Sequence, residues 1–268
     1  MNLPKEVEEY VYYRESNPDL VVLHGDCLSI MPLLPKVDFV VTDPPYGIDF
    51  HSAWPSEERK KDKIENDKFE DYETLLPKML HSFKNILKDG GVCCCCGGGG
   101  STPSLANLWL KAGEYLTVEN VCIWNKGFIG LGWRYRFQWE AILIATKGER
   151  KTWNGGTNRS NIIELQKVIP QEGEHPTLKP VSLMRLLIGD NSNEGEIVCD
   201  CFLGSGTTLV ACKELNRCGI GIEISEKYCE IAKRRLLNTP RLLFTDVNGA
   251  EGFLKESPTL FAMPSDVE

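Results

Sequence analysis

The sequence predicts an α/β protein with a mostly parallel central sheet. Short apolar runs containing β-branched side chains occupy residues 20–23, 37–41 and 196–200, a composition typical of strands that are buried on both faces. Between such runs, apolar residues recur at helical spacing, most clearly over residues 75–87. Buried strands that alternate with amphipathic helices indicate a parallel sheet covered by helices.

Turn and capping residues place the remaining elements. Thr74 is a suitable N-cap, Pro77 is tolerated in the first helical turn, and the glycine pair at 90–91 ends that helix. Thr177 likewise caps an expected helix that continues through residue 188. We expect the other strands at 92–96, 118–124, 140–145 and 219–223, and the other helices at 103–112 and 207–215.

Length and composition favour one domain, which we place at residues 1–238. With 268 residues and 42% hydrophobic content, the chain can bury a full core. Residues 239–268 hold three prolines and little pattern, so we expect a loosely docked tail there. No apolar run approaches the ~18 residues of a membrane span, and the first residues lack a signal-peptide pattern, which predicts a cytoplasmic protein with no membrane partner. The net charge of −8 argues against a general polyanion binder but allows a local basic face.

The cysteines predict neither disulfides nor a metal site. In the cytosol, the 11 cysteines are expected to be reduced. Four of them are consecutive, from Cys93 to Cys96, and neighbours on a strand face opposite ways, so the run cannot surround one metal ion. We expect these side chains to fill a buried strand as small apolar groups.

The first candidate site is Asp43-Pro44-Pro45-Tyr46, directly after the run at 37–41. Neither proline has an N–H group for a sheet ladder, so the chain must leave the sheet at Asp43. Ligands of open α/β sheets bind at this carboxyl end of a strand. The Asp43 carboxylate and the Pro44 carbonyl can accept the two hydrogens of an exocyclic amine while the Tyr46 ring stacks on its plane. The alternative is a β-turn with a capping Asp and no ligand.

The second candidate site is a glycine turn between two expected strands. Phe202, Gly204 and Gly206 follow the strand that ends at Asp200, and they open a helix whose N-terminus a ligand can approach closely. Glu223 ends the next strand, 17 residues after Gly206. In dinucleotide-type folds an acidic residue ~20 residues on holds the ribose hydroxyls. Because the lysine of a phosphate-binding loop and the third glycine are missing, the turn suits a nucleoside without a pyrophosphate.

Asp26 and three basic stretches are further candidates for contact with a nucleoside or a nucleic acid. Asp26 also follows a strand, either as a turn cap or as an acceptor for a ligand amine. Residues 133–139 alternate aromatic and polar side chains, which fits a half-buried strand or a nucleic-acid-facing surface. Residues 49–67 and 147–174 are polar, irregular and locally basic. The candidate nucleic-acid contacts in these three stretches are Arg59, Lys60, Lys61, Arg134, Arg136, Lys151 and Arg159.

Together the two sites resemble the S-adenosylmethionine-dependent DNA methyltransferases that act on exocyclic amino groups. Their order, with Asp43-Pro44-Pro45-Tyr46 first and Phe202-x-Gly204-x-Gly206 last, resembles the permuted β group of that family. The resemblance covers roughly residues 20–237. Leu178 and Cys201 depart from the common residues, Gln and Pro, without removing a group that the chemistry needs. Further matching motifs are His24-Gly25-Asp26, Ile123-Trp124-Asn125-Lys126-Gly127, Glu140 and His175-Pro176-Thr177-x-Lys179-Pro180.

The resemblance implies a fold and a methyl donor. The fold would be a Rossmann-like sheet of seven strands, mostly parallel with one antiparallel strand, and helices on both faces. The donor would be S-adenosylmethionine, with its adenine amine on Asp26 and its ribose on Glu223. The other donor contacts would come from Thr177, Asp200, Phe202, Gly204, Ser205, Gly206 and Thr207.

The resemblance also implies the catalytic residues and the partner. Hydrogen bonds to Asp43 and to the Pro44 carbonyl would localise the amine's lone pair for attack on the methyl group, with Pro45 and Tyr46 completing the site. The partner would be double-stranded DNA with a flipped target base stacked on Tyr46. A short target-recognition segment is expected near 147–174, and a homodimer and a cognate restriction nuclease are further partners to consider.

The favoured target is the N6 amine of adenine. Family members that methylate cytosine N4 more often carry Ser where this chain has Asp43, and N4-cytosine methylation is the main alternative. An RNA or protein amide methyltransferase is a second alternative. A catalytically idle module that binds only the donor or DNA is the third.

Overall fold

The computed structural model describes residues 1–45, 69–98, 102–129, 134, 136–166 and 178–240. Short 3₁₀ segments occupy Lys5–Tyr10 and Met31–Leu33. The strands are β1 (Val11–Glu15), β2 (Leu20–His24), β3 (Val37–Thr42), β4 (Leu87–Gly98), β5 (Thr117–Asn125), β6 (Trp139–Thr146), β7 (Ile162–Glu164), β8 (Ile197–Asp200) and β9 (Cys218–Glu223). The helices are α1 (Cys27–Ile30), α2 (Phe69–Ile86), α3 (Thr102–Tyr115), α4 (Val181–Asn191), α5 (Thr207–Glu214) and α6 (Glu226–Asn238).

The described strands form one sheet in the order β1-β2-β9-β8-β3-β4-β6-β5-β7. The sheet is mostly parallel, as predicted, but the expectation of seven strands is wrong because the sheet has nine. The two additional strands, β1 and β7, lie at the edges and are short. The side chains of β1 are mostly half-exposed and only the middle residue of β7 is buried, so no apolar run marks either strand in the sequence. The expectation of one antiparallel strand is also wrong, since both β1 and β6 run against their neighbours.

Helices cover both faces of the sheet, as predicted. Alternate strand residues divide the core into two layers, because neighbours along a strand point to opposite faces. Cys93 and Cys95 pack in the layer that contains α2 and α3, whereas Cys94 and Cys96 pack in the layer that contains α4, α5 and α6. All four thiols are at most 2% exposed, which confirms that the cysteine run fills a buried strand.

The helix α2 begins earlier than predicted. Tyr72 is 2% exposed and adds a further turn to the apolar stripe that continues with Leu76 and Met79. Thr74 therefore lies inside the helix rather than at its cap, and Pro77 lies inside it rather than in the first turn, so both predictions are wrong.

Helix α4 also begins elsewhere than expected. Its N-cap is Pro180, whereas Thr177, the expected cap, lies outside the described residues. The physical reason is that a residue before proline is disfavoured in the helical region, which keeps Lys179 out of the helix. In the alternating stretch at 133–139, residues 136–138 are not in a strand, and Arg134 has the left-handed φ of 62°. Of the two interpretations of residues 133–139, the half-buried strand is therefore wrong for the described residues before β6, whereas the nucleic-acid-facing surface stays a prediction.

The fold brings the candidate loops to one edge of the sheet. The carboxyl ends of the parallel strands β2, β9, β8, β3 and β4 share this edge, which we call the carboxyl edge. Because β6 is antiparallel, its first residues lie at the carboxyl edge and its last residues lie at the opposite edge. Among the described residues, no helix is long and apolar enough to cross a membrane.

Candidate active site at the carboxyl edge of the sheet

Asp43 and Pro44 lie directly after the last residue of β3. Strand β3 pairs in parallel with β8, with Phe39 opposite Val198 and Val40 opposite Cys199. Pro44 is buried, whereas Asp43 and Pro45 are half-buried. Tyr46, the expected stacking ring, lies outside the described residues. The neighbouring strand ends therefore place the Asp43 loop beside the glycine turn that follows β8.

A buried carboxylate joins these two loops. Asp200 accepts a hydrogen bond of 2.8 Å from the Thr42 hydroxyl and one of 2.5 Å from the Thr208 hydroxyl. It also accepts the backbone N–H of Phe202 at 3.1 Å. Burial raises the pKa of Asp200 to about 6, although the hydrogen bonds from Thr208 and Thr42 act in the opposite direction. These contacts are internal to the protein, so the carboxylate connects β3, β8 and α5.

The glycine turn adopts backbone angles that favour glycine. Gly204 has φ 54° and Gly206 has φ 86°, both in the left-handed region. A Cβ at Gly206 would lie 2.7 Å from the Cβ of Ala232 in α6, so the turn packs tightly on that helix. A Cβ at Gly204 would meet no described atom within 4 Å, which leaves room for a ligand over this residue.

Arg235 of α6 supports the same turn from beneath. Its guanidinium donates to the Ser205 carbonyl at 2.9 Å, to the Ser205 hydroxyl at 2.9 Å and to the Thr207 hydroxyl at 3.0 Å. Ser205 and Thr207 are buried. Their hydroxyl groups therefore hold the turn in place from its inner side.

Glu223 and Asp26 lie at the ends of the paired strands β9 and β2. The Glu223 carboxylate accepts the N–H of Gly204 at 2.7 Å and the N–H of Ser225 at 2.9 Å, which fixes its orientation at the turn. Asp26 is exposed and caps α1, accepting from Leu28 N–H at 3.2 Å. Gly25 donates to the Glu223 carbonyl at 2.9 Å, which holds the two strand ends together.

Asp43 belongs to a network of four charged side chains. Its Oδ2 forms an ion pair with the ammonium of Lys179, the residue before the cap of α4. Lys179 also lies 3.2 Å from Oε2 of Glu140 in β6, an ion pair without good hydrogen-bond alignment. Lys126 approaches the other oxygen of Glu140 at 3.2 Å. The network links the ends of β3, β5 and β6 to the start of α4.

The charges of this network support one another. Burial would lower the pKa of Lys179, but the carboxylates of Asp43 and Glu140 outweigh burial and raise it above its ordinary value. Burial would raise the pKa of Glu140, but Lys179 and Lys126 lower it. Lys179 and Glu140 are therefore charged around neutral pH.

The basic residues named from the sequence fall into three groups. Arg134 and Arg136 are exposed in the connection from β5 to β6, at the carboxyl edge. Arg59, Lys60 and Lys61 lie outside the described residues. Lys151 and Arg159 lie at the opposite edge, because they follow β6, which is antiparallel and ends at that edge.

The contacts of Lys151 and Arg159 show that both residues lie at the edge opposite the carboxyl edge. The backbone N–H of Lys151 donates to Gly90, near the start of β4. Arg159 pairs with Asp190 at 2.8 Å, at the end of α4 that is remote from Lys179. The described part of the expected recognition segment up to residue 160 thus lies away from Asp43.

Several contacting residues were missed by sequence reasoning. Lys179 and Glu140 belong to motifs of the family resemblance, but the sequence assigned them no chemical role. No local sequence pattern pointed to Thr42, Thr208 or Arg235 as contacting residues. Lys179 could have been suspected, because a lysine followed by proline at a helix start is held outside the helix. The contact of Arg235 with the glycine turn depends on how α6 packs, which no local pattern reveals.

Comparisons with known proteins agree with this architecture. Residues 37–234 match the model of the N6/N4 methylase family, described as DNA methylase. The chain is 43% identical over 107 residues, 38% of its length, to Type II methyltransferase M.HpaI of Haemophilus parainfluenzae, and the match spans only 34% of that relative. It is 27% identical over 260 residues to DNA adenine methyltransferase YhdJ of Escherichia coli (strain K12), covering 83% of this chain and 84% of that protein.

Solved structures show the same fold. M1.HpyAVI in complex with SAM superposes with a TM-score of 0.63 at 25% identity, covering 81% of this chain and 99% of that one. The cytosine-N4-specific PvuII DNA methyltransferase superposes with a TM-score of 0.70 over 88% of this chain and 91% of that one, and its 16% identity supports the fold alone. Since the family match extends over most of the chain and includes both candidate loops, the protein belongs to the N6/N4 DNA methylase family of amino-group DNA methyltransferases.

Proposed function

We propose that this protein transfers a methyl group from S-adenosylmethionine to the N6 amine of adenine in DNA. The observation that carries the proposal is the position of Asp43 and Pro44 beside the Gly204–Gly206 turn, connected by the buried Thr42–Asp200 hydrogen bond of 2.8 Å. Adjacent loops at the carboxyl edge can hold a base and a methyl donor face to face. Family membership supports the reaction class.

The residues of the turn fit the nucleoside part of the donor. Glu223 has both oxygens oriented by backbone N–H groups, and a carboxylate has enough lone pairs to accept ribose hydroxyls in addition. The space over Gly204 admits a ligand against the backbone. We propose that Asp26, at the neighbouring strand end, accepts the adenine amine. When bound, S-adenosylmethionine supplies the methyl group.

The remaining predicted donor residues divide into those near the ligand and those behind it. We propose direct contact for Phe202 and Gly204, which are half-exposed at the turn. Asp200, Ser205 and Thr207 hold the turn through their internal hydrogen bonds. Gly206 permits the close packing of the turn on Ala232. Thr177 keeps its expected role at the methionine end of the donor, as a prediction from the resemblance.

On the base side, Asp43 and Pro44 orient the target amine. The Asp43 carboxylate accepts one amine hydrogen and the Pro44 carbonyl accepts the other, which directs the nitrogen lone pair toward the methyl group. Such positioning accounts for most of the rate that a site of this kind supplies. A base in a duplex cannot reach this loop without leaving the stack, so the target is flipped, and Tyr46 is the proposed stacking partner.

Adenine is favoured over cytosine by two observations. The chain carries Asp43, whereas cytosine-N4 members more often have Ser at this position. The relative named as a DNA adenine methyltransferase matches 83% of the chain at 27% identity. The likeness to the cytosine-N4-specific structure extends to the fold and carries no residue-level argument.

Among the described side chains, we propose that the two arginines at the carboxyl edge contact DNA. Arg134 and Arg136 lie in the same strand connection as Lys126, whose backbone N–H donates to Gln138 at 2.9 Å. Each phosphate contact made by such a side chain adds salt-dependent affinity. Lys151 and Arg159, at the opposite edge, are the weaker candidates.

The test is to identify the methylated nucleoside. Purified protein would be incubated with tritiated S-adenosylmethionine and unmethylated DNA of mixed sequence, and the DNA would be digested and analysed by mass spectrometry. We expect N6-methyladenine, and no product with heat-denatured protein. N4-methylcytosine as the main product would replace the adenine assignment. A parallel incubation with RNA or a protein extract that becomes labelled, while DNA does not, would overturn the proposed substrate class.

A further inference from the structure

We propose that Lys179 is the positioning residue for Asp43. Its ammonium, 8% exposed, lies between two carboxylates that come from different strands, Asp43 after β3 and Glu140 in β6. The inference rests on the proposed role of Asp43 as the acceptor of the target amine. Lys179 itself acts through Asp43 and does not touch the base.

The sequence around Asp43 removes one common backbone donor to its carboxylate. An Asp side chain in a turn commonly bonds to a backbone N–H two residues on. Here that residue is Pro45, and the residue between is Pro44, so neither position has an N–H group. The same prolines that expose a carbonyl for the substrate thus remove this backbone donor. The ammonium of Lys179 supplies a donor to Asp43 Oδ2 from across the sheet.

Lys179 is well suited to hold a fixed position. It directly precedes Pro180, the cap of α4, whose carbonyl accepts the N–H of Leu183 at 3.1 Å. Helix α4 packs on the sheet through Leu183 and Leu187, both at most 2% exposed. The lysine backbone is therefore tied to a packed helix rather than to a free loop.

Glu140, the second carboxylate beside the Lys179 ammonium, is also held in a fixed position. Glu140 lies in β6 opposite Trp124 of β5, and Lys126 approaches its second oxygen at 3.2 Å. The formal charges of Asp43, Glu140, Lys126 and Lys179 cancel. An ammonium held between two carboxylates has one preferred location, which in turn fixes the oxygen of Asp43 that it contacts.

A purely structural ion pair is the competing explanation. Such a pair would affect folding, and its loss would lower activity whatever residue stands at position 43. A positioning residue instead loses its effect once the carboxylate it positions is gone. Non-additivity between the two positions separates these explanations.

The experiment is a double-mutant cycle on the full-length protein. Wild type, Lys179→Met, Asp43→Asn and the double variant would be compared by single-turnover transfer of tritiated methyl to mixed-sequence DNA at saturating donor and DNA. Donor affinity would be measured separately by calorimetry, and folding by thermal denaturation. The matched control is Lys88→Met, which removes a lysine paired with Asp38 at 2.7 Å at the other end of β3.

We expect Lys179→Met to slow transfer by ~10²-fold, as a small misplacement of a reacting group does. Donor affinity should be unchanged, Lys179→Arg should restore part of the rate, and Lys88→Met should react as wild type does. In the Asp43→Asn background, Lys179→Met should cost nothing further. Lys179→Gln, which keeps a hydrogen-bond donor without the charge, serves if the Met variant does not fold, and an intermediate rate is expected.

Each contrary outcome identifies what fails. Full activity of Asp43→Asn would overturn the proposed function of Asp43 itself. A slow Asp43→Asn together with a normal rate in Lys179→Met or Lys179→Gln would overturn the positioning role alone. Additive losses in the double variant would also overturn it, because Lys179 would then act independently of Asp43.

Discussion

The hydroxyl of Thr42 donates a hydrogen bond of 2.8 Å to the carboxylate of Asp200, from the last residue of β3 to the last residue of β8. Both residues are buried, at 2% and 4% exposure. Each is followed directly by a candidate functional loop, Asp43-Pro44 in one case and the glycine turn in the other. This contact therefore sets the distance between the residues proposed to hold the base and those proposed to hold the donor.

The first prediction concerns the pH dependence that Asp200 contributes. Burial raises its pKa in the folded state to about 6, above the ordinary value of 3.8. Since the folded state then binds the proton more tightly than the unfolded state, this group stabilises folding as pH falls from about 7 to about 4. Relative to Asp200→Asn, which cannot titrate, wild type should gain ~2.4 kcal/mol of unfolding free energy over that range.

Urea denaturation of both proteins at several pH values measures this gain. Asp89→Asn, a change at a side chain that is 87% exposed, is the control and should follow wild type. A difference between wild type and Asp200→Asn that does not vary with pH would show that the buried carboxylate does not titrate in this range.

Asp43→Ala should separate chemistry from donor binding. Removal of the carboxylate takes away one acceptor of the target amine, so we expect turnover to fall by ~10²-fold or more. Donor affinity should be retained, because Glu223 and the glycine turn are unchanged. Methyl transfer and calorimetry on the same preparation measure both quantities, and near-normal turnover would refute the proposed mechanism.

Glu223→Ala should weaken the binding of S-adenosylmethionine by ~1.5–3 kcal/mol, the value of a hydrogen bond to a charged group. Glu226, an exposed carboxylate three residues further along, provides the control as Glu226→Ala. Calorimetric titration of the three proteins gives the comparison. Equal affinities in wild type and Glu223→Ala would remove this residue from the ribose site.

The two glycines of the turn should respond differently to alanine. At Gly206 the added Cβ would combine a left-handed φ with a contact of 2.7 Å to Ala232, so Gly206→Ala should lower the unfolding free energy by ~2–5 kcal/mol. At Gly204 the cost is the left-handed φ alone, ~1–2 kcal/mol, but the Cβ enters the space proposed for the donor. Gly204→Ala should therefore lose donor affinity while it remains folded. Denaturation and calorimetry test both, and normal donor binding by Gly204→Ala would place the nucleoside elsewhere.

Arginines at the two edges of the sheet should differ in their effect on DNA binding. Arg136→Ala should reduce the slope of log affinity for DNA against log salt by about one unit, if its side chain neutralises one phosphate. Arg159→Ala should leave the slope unchanged, since Arg159 pairs with Asp190 at the opposite edge. Binding isotherms at several salt concentrations provide the slopes. A reduced slope in Arg159→Ala would instead support the sequence prediction that this residue meets DNA.

The sequence by itself determined the seven inner strands and the two loops. Runs such as 37–41 and 219–223 are buried on both faces, and burial of that kind requires a continuous apolar pattern that is visible without a structure. The roles of Pro44, Pro45, Gly204 and Gly206 can also be recognised from the sequence, because each proline restricts the backbone locally and each glycine frees it. The family resemblance rested on these residues, and the comparison with known proteins confirms it.

Element boundaries and edge strands were decided by tertiary packing. Helix α2 extends to Phe69 because Tyr72 buries its ring against the core, which outweighs the local capping signal at Thr74. Strands β1 and β7 have little apolar pattern of their own, and they form because a neighbouring strand offers unpaired backbone groups.

The electrostatic surroundings of the site were likewise a product of the tertiary structure. Lys179 lies 136 residues from Asp43 along the chain, and Asp200 lies 158 residues from Thr42. No local pattern encodes such contacts, because they depend on the order of strands in the sheet. That order places Asp43 against Lys179 at the carboxyl edge, and the antiparallel direction of β6 carries Lys151 and Arg159 away from it.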